Sequence, residues 1–203
     1  MTIWIFGDSF STNYKIPLEQ SWPEIISKKL DREVKNFAHK AVDNFFIFHN
    51  YINQKSQIQN DDVVLLQWTI PSRKMFIFDK NCRSHQVAIQ SDNISVTRNN
   101  LTYFRSAPKN PKRWLPSFTN EDHGIEFFDN WYKNYFNLKE CEVNLQAYKD
   151  ACKSNNIIQL SFNRILNFIT KNKLYLSEDD LHPNAEGHKR LANNIMEKIN
   201  GVL

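Results

Sequence analysis

Four glycines in 203 residues leave few positions free for left-handed backbone, so such turns must fall to Asn, Asp or another L residue. Three cysteines, Cys82, Cys141 and Cys152, are too few and too unevenly spaced for a disulfide framework or a zinc cluster. No uncharged apolar run approaches the roughly 20 residues that a bilayer-spanning helix needs. The start, Met1-Thr2-Ile3-Trp4-Ile5-Phe6-Gly7-Asp8-Ser9, has no basic leader and meets an acid at position 8. The expectation is a soluble chain without a secretory signal, cytoplasmic or virion-associated. An excess of one charge is also missing: 26 Lys and Arg face 22 Asp and Glu, a net +4. That argues against a polybasic module that grips nucleic acid through charge alone. Internal repeats and low-complexity tracts are absent.

What is present is an ordinary globular composition, 41% hydrophobic and 24% charged. At this length folding should bury roughly 70% of the unfolded surface, enough for a core without staples. Residues 2–6 are short, apolar and β-rich, as in a strand covered on both faces. Ser21 and Glu24 form a capping-box pattern, with Pro23 in the first turn of a helix over 22–30. A second strand is expected within 33–38. A helix from Asn44 to Ile52 carries Phe45, Phe46, Ile47, Phe48 and Tyr51, which reads as buried over most of its circumference. Residues 62–68 form the clearest central strand. After a broken stretch from 71 to about 130, a helix (138–153), a strand (157–162) and a closing helix (185–199) follow. Alternation of strand and helix predicts a doubly wound parallel α/β sheet in one domain, 1–203, with an insertion at about 71–130.

Two short motifs carry chemistry. Gly7-Asp8-Ser9 directly follows the first strand, and ligands of open α/β sheets sit at the carboxyl ends of strands. Asp179-Asp180-Leu181-His182-Pro183-Asn184 precedes the last helix. An acid three residues before a His allows the carboxylate to fix the ring while its other nitrogen faces a nucleophile. On that spacing Asp179 is the expected orienter, ahead of Asp180. Taken singly, each motif also reads as a hydrogen-bonded turn or a polar loop with an N-cap at Asn184.

Together and in this order, the motifs resemble the SGNH (GDSL-type) hydrolase family over nearly the whole chain. The resemblance implies a three-layer α/β/α fold with a flavodoxin-like strand order and a triad of Ser9, His182 and Asp179. It places oxyanion donors at the Ser9 N–H, at Ala41 where the family has Gly, and at Thr69 where it has Asn. Asn44, close to the second block, is a candidate for the missing amide. Trp68 and Arg73 are candidates for binding substrate. The activity implied is serine-dependent hydrolysis of a small ester, with an O-acetyl group on a carbohydrate as one candidate substrate. No cofactor is implied. The alternative is a degenerate domain that binds a glycan or a protein partner without turnover, since two oxyanion positions depart from the pattern.

The remaining features read as structural. Arg105, Lys109, Lys112 and Arg113 with Trp114 form a basic loop that is read as solvated rather than as a nucleic-acid site. The histidines His39, His49, His85, His123 and His188 lack metal-ligand spacing, so no metal is expected. Phe45, Phe46 and Phe48 are read as core. Oligomeric state leaves no trace in the sequence.

Overall fold

The computed structural model describes residues 1–40, 42–71, 73–77, 86–89 and 138–202. It divides into two compact units, Met1–Ile70 with Ala147–Leu203, and Pro71–Gln146. The second unit contains an antiparallel pair, β4 (Lys74–Ile77) and β5 (Gln86–Ile89), and helix α3 (Leu138–Ala151) up to Gln146. Most of the insertion expected at 71–130, including the basic loop and Cys82, lies outside the described residues.

The first unit is built on β1 (Ile3–Phe6), β2 (Val34–Asn36), β3 (Val63–Trp68) and β6 (Ile157–Ser161). All are parallel, in the order β2-β1-β3-β6. This is the doubly wound order expected, with the first strand inside and the chain reversing direction across the sheet. Alternation sends Ile3, Ile5, Val63, Leu65, Ile158 and Leu160 into one apolar cluster. Against them pack Trp22 and Ile26 of α1 (Trp22–Leu30), Ile165 and Ile169 of α4 (Phe162–Lys171), and Leu191, Ala192, Ile195 and Ile199 of α5 (Ala185–Asn200). Each buried side chain of this size contributes about 1.5–3 kcal/mol. The intervening residues of β1, Trp4 and Phe6, stack on Phe37, and Phe6 meets Tyr51 of α2 (Asn44–Gln54) edge-on at 5.8 Å. Helices thus cover both sides of the sheet, which makes three layers, α/β/α.

Two local readings are corrected. Ser21 precedes α1, but its hydroxyl donates to the Leu18 carbonyl rather than to the helix. The Trp22 N–H instead donates to Nδ1 of His188, a buried residue of α5. The capping box does not form, and a tertiary acceptor on α5 takes up the first N–H of α1 instead. Helix α2 is not buried around most of its circumference: its inward side chains are Asn44, Ile47 and Tyr51. Phe45 is 56% exposed, and Phe46 and Phe48 are half-buried. A helix lying on one face of a sheet needs only one inward stripe. The Asp43 carboxylate caps it by accepting from the Phe46 N–H.

A further hairpin occupies the C-terminal motif. Strand β7 (Tyr175–Ser177) pairs antiparallel with β8 (Asp180–Pro183), with an irregular register between Tyr175 and Ser177. The segment read as a loop is therefore a strand, and that change decides which acid lies beside the histidine.

Candidate active site

Strand β1 ends at Gly7, and a single 3₁₀ turn, Ser9–Ser11, carries the serine. The turn is tied from three directions. The Asp8 carboxylate accepts from the Phe10 N–H at 2.9 Å, and the Ser11 N–H donates to the Asp8 carbonyl. The register of β1 on β3 pairs Phe6 with Leu66, which brings Gly7 beside Gln67. Fully buried Gln67 uses Oε1 to accept from both the Asp8 N–H and the Ser11 hydroxyl, each at 3.0 Å, and its own amide donates to the Trp68 carbonyl. A Cβ at position 7 would lie 2.9 Å from that Oε1 and 2.8 Å from Ser11 Oγ. The glycine is needed for this close approach, not for an unusual φ.

The histidine arrives from β8. His182 Nε2 lies 2.8 Å from Ser9 Oγ, and His182 Nδ1 lies 2.6 Å from Oδ1 of Asp180. Ser9 and His182, 173 positions apart, are thus brought together. The carboxylate at His182 is that of Asp180, while the expected Asp179 is exposed. The physical reason is the two-residue period of a strand: Asp180 and His182 share one face of β8, and Leu181 between them points the other way. A spacing of three suits a loop, and the backbone here is not one.

Aromatic rings confine the imidazole. Phe10 lies 5.0 Å from it and Tyr14 4.2 Å, centroid to centroid, both tilted. The Trp22 indole N–H donates to the Phe10 carbonyl, so the turn is also pinned to α1. Lys15, on left-handed backbone at φ 55°, places Nζ 2.6 Å from the second oxygen of Asp180. Burial works against the Asp180 charge. The hydrogen bonds from Lys15 and His182 outweigh it and hold the carboxyl below its ordinary value. His188 lies behind the site in α5. Its pKa is pushed down to about 4, first by burial and then by the charge of His182, so it is neutral at pH 7.

The other expected site residues fare differently. Asn44 is buried, and its amide donates to the carbonyls of Thr69 and Ile70 at 3.2 Å each, while its Oδ1 accepts from the Thr69 N–H. It clamps the end of β3, so its amide is spent on backbone rather than held for an oxyanion. Trp68 is 1% exposed with its indole N–H on Gln159 Oε1, so it packs the sheet instead of meeting substrate. Thr69 is also buried, and among the described residues its hydroxyl has no hydrogen-bond partner. Around Ser9, the N–H groups of Asp8, Phe10 and Ser11 are all engaged, whereas for the Ser9 N–H the described residues hold no acceptor. Ala41 lies outside the described residues, and Arg73 belongs to the second unit.

Lys15, Tyr14 and Gln67 escaped the sequence reading. Nothing local marks Lys15, whose partner lies 165 positions away. Gln67 carried a signal: a long amide inside an otherwise apolar strand must find buried partners. Among the described residues no three His, Cys, Asp or Glu side chains gather as a metal site, and no helix is long and apolar enough to cross a membrane.

No family model and no curated protein matches the chain. Among solved structures it is similar to a member of the lipolytic protein G-D-S-L family from Veillonella parvula DSM 2008, at 18% identity over 97% of each chain, TM-score 0.47. It is also similar to the psychrotrophic esterase EstA from Pseudoalteromonas sp., at 15% identity over 98% of this chain and 97% of that one, TM-score 0.47.

Proposed function

We propose that the chain is an SGNH-type serine hydrolase that cleaves a small carboxylic ester through Ser9, His182 and Asp180. The observation that carries this reading is the continuous line Ser9 Oγ, His182 Nε2, His182 Nδ1, Asp180 Oδ1, with steps of 2.8 and 2.6 Å. A serine hydroxyl is a weak nucleophile at neutral pH, and a neutral imidazole within hydrogen-bond reach removes its proton as attack begins. With Nδ1–H donating to Asp180, Nε2 is left as the acceptor for the Ser9 hydroxyl. Ser9 Oγ attacks the ester carbonyl carbon, its proton passes to His182 Nε2, and Asp180 stabilises the imidazolium. The negative charge on the former carbonyl oxygen is met by the Ser9 N–H and, in this reading, by the Thr69 hydroxyl. Collapse breaks the ester C–O bond, and His182 gives its proton to the departing alcohol. Water, deprotonated by His182, then releases the acid from Ser9.

An O-acetyl group on a carbohydrate is the substrate to test first, because a small acyl group asks least of a site flanked by Phe10 and Tyr14. The experiment is a panel of esters of rising acyl length, with fluorophosphonate labelling, on the parent chain and on Ser9→Ala. Turnover and labelling confined to the parent are expected; equal behaviour of the two proteins would sink the reading. One observation favours the alternative of a binding domain without turnover: Asn44, the amide candidate for the oxyanion, is spent on the Thr69 and Ile70 carbonyls. That alternative requires an unlabelled Ser9 together with retention of a glycan or a protein.

A further inference from the structure

We propose that Lys15 is a positioning residue of this site: its ammonium holds the Asp180 carboxylate against His182 and sets the pH at which His182 loses its proton. The inference rests on the hydrolase reading above. Asp180 presents its two oxygens to two cations-in-waiting, Oδ1 to His182 Nδ1 and Oδ2 to Lys15 Nζ, both at 2.6 Å. A carboxylate held at both oxygens cannot rotate about its terminal bond, so its near oxygen stays in line with Nδ1. The chain accepts a cost for this. Lys15 has φ 55°, a region that L residues avoid, and the chain spends none of its four glycines there. The contact also joins the loop after the nucleophile turn to the hairpin that carries the base.

The electrostatic consequence has a definite sign. An unpartnered Asp180 would stabilise the imidazolium and raise the His182 pKa. Lys15 neutralises part of that carboxylate charge and so keeps His182 unprotonated to lower pH. Among the described residues, the Ser9 hydroxyl, the Tyr14 phenol and neutral His188 from α5 also face His182. Lys40, from the loop after β2, lies over the Tyr14 ring at 5.1 Å and adds cationic character of the same sign. None of these touches Asp180 as Lys15 does. The Lys15 side chain is 57% exposed, so solvent tempers the effect without erasing it.

The test is an imidazole ¹⁵N titration of His182 in the full chain, for the parent, Lys15→Asn and Lys15→Arg, beside the pH profile of kcat/KM. Asn tolerates the left-handed backbone and removes the charge; Arg keeps the charge. In Lys15→Asn the His182 midpoint and the acid limb should both rise, by about half a unit to a unit. Lys15→Arg should return both to the parent values. An unmoved midpoint in Lys15→Asn, or an equal rise in Lys15→Arg, overturns the proposal. The hydrolase reading fails separately: if no form turns over ester but the midpoint still moves in Lys15→Asn alone, the clamp stands and the esterase assignment falls.

Discussion

The serine and the histidine meet at one hydrogen bond, yet the segments that deliver them are built in contrasting ways. Gly7, Asp8, Ser9, Phe10 and Ser11 are all buried, at the end of a strand inside the sheet, and their polar groups are tied to Gln67 and to each other. Asp180 and His182 stand on a two-stranded hairpin outside that sheet, partly buried rather than sealed, with Lys15 as a solvent-facing brace. The first segment is positioned by the core, so misplacing it means disturbing the fold. The second is positioned by strand alternation and by individual side chains, so it can be changed with little loss of stability. The proposed roles suit that contrast: a nucleophile needs a fixed direction of attack, and a base that takes and returns a proton works beside water.

The largest effect that separates the two segments from the fold itself is expected at Ser9. Ser9→Ala deletes one oxygen whose only described side-chain partner is His182. Ester turnover should fall by about 10³-fold or more while the thermal midpoint stays within a degree or two of the parent, about 0.5 kcal/mol. Steady-state kinetics and a melting curve on the same preparation check both halves. A large fall in stability would show that the turn, not the hydroxyl, had been lost.

Next comes the choice between two neighbouring acids on the hairpin. Asp180→Asn should lower kcat by roughly 10²–10⁴-fold, because an amide neither carries the charge nor fixes the tautomer. Asp179→Asn, at an exposed residue outside β8, should change kcat less than about twofold. The reverse pattern would return the role to Asp179 and refute the strand alternation used here. This pair also marks the limit of what could be read from the chain alone. The parallel sheet, its strand-end serine and the closing helix were legible because apolar runs and caps are local signals. The meeting of Ser9 with His182 was legible because the motifs resemble a known arrangement. That Asp180 rather than Asp179 lies against His182 was not legible, because a three-residue spacing presumes a loop and three-residue β7 is too short to announce the hairpin. Helix α4 was not read, although Phe162, Ile165, Leu166 and Ile169 follow helical spacing. Long-range partners such as Lys15 with Asp180, or His188 with Trp22, leave no local periodicity at all.

Behind both segments, His188 offers a stability test. Its pKa lies near 4 in the fold against an ordinary 6.5, so between those values the unfolded chain binds more protons. Stability is full above about pH 6.5, declines as pH falls through the window to 4, and loses about 3 kcal/mol across it. Asp62 and Asp180, whose carboxyls are held below their ordinary value, contribute losses only at lower pH, below about 4. Urea unfolding at pH 7, 5.5 and 4.5 should show the decline in the parent. In His188→Gln, whose amide oxygen can still accept from the Trp22 N–H, the curve over that window should be nearly flat. Parallel curves for the two proteins would remove His188 from the account.

The smallest effect concerns the end of β3, where the proposed reaction would call on a buried side chain. The Thr69 hydroxyl is sealed from solvent and has no partner among the described residues, an arrangement that costs about 1–3 kcal/mol when nothing compensates it. Thr69→Val keeps the shape and removes the unmet group, so the fold should gain about 1 kcal/mol. If the hydroxyl meets the developing oxyanion, the same change should lower kcat by roughly 10–100-fold with KM little altered, since the bond forms only in the transition state. A more stable protein with slower turnover is the signature of a polar group held in reserve for catalysis. A more stable protein with unchanged kcat would leave Thr69 as a packing residue and the Ser9 N–H as the donor to build on.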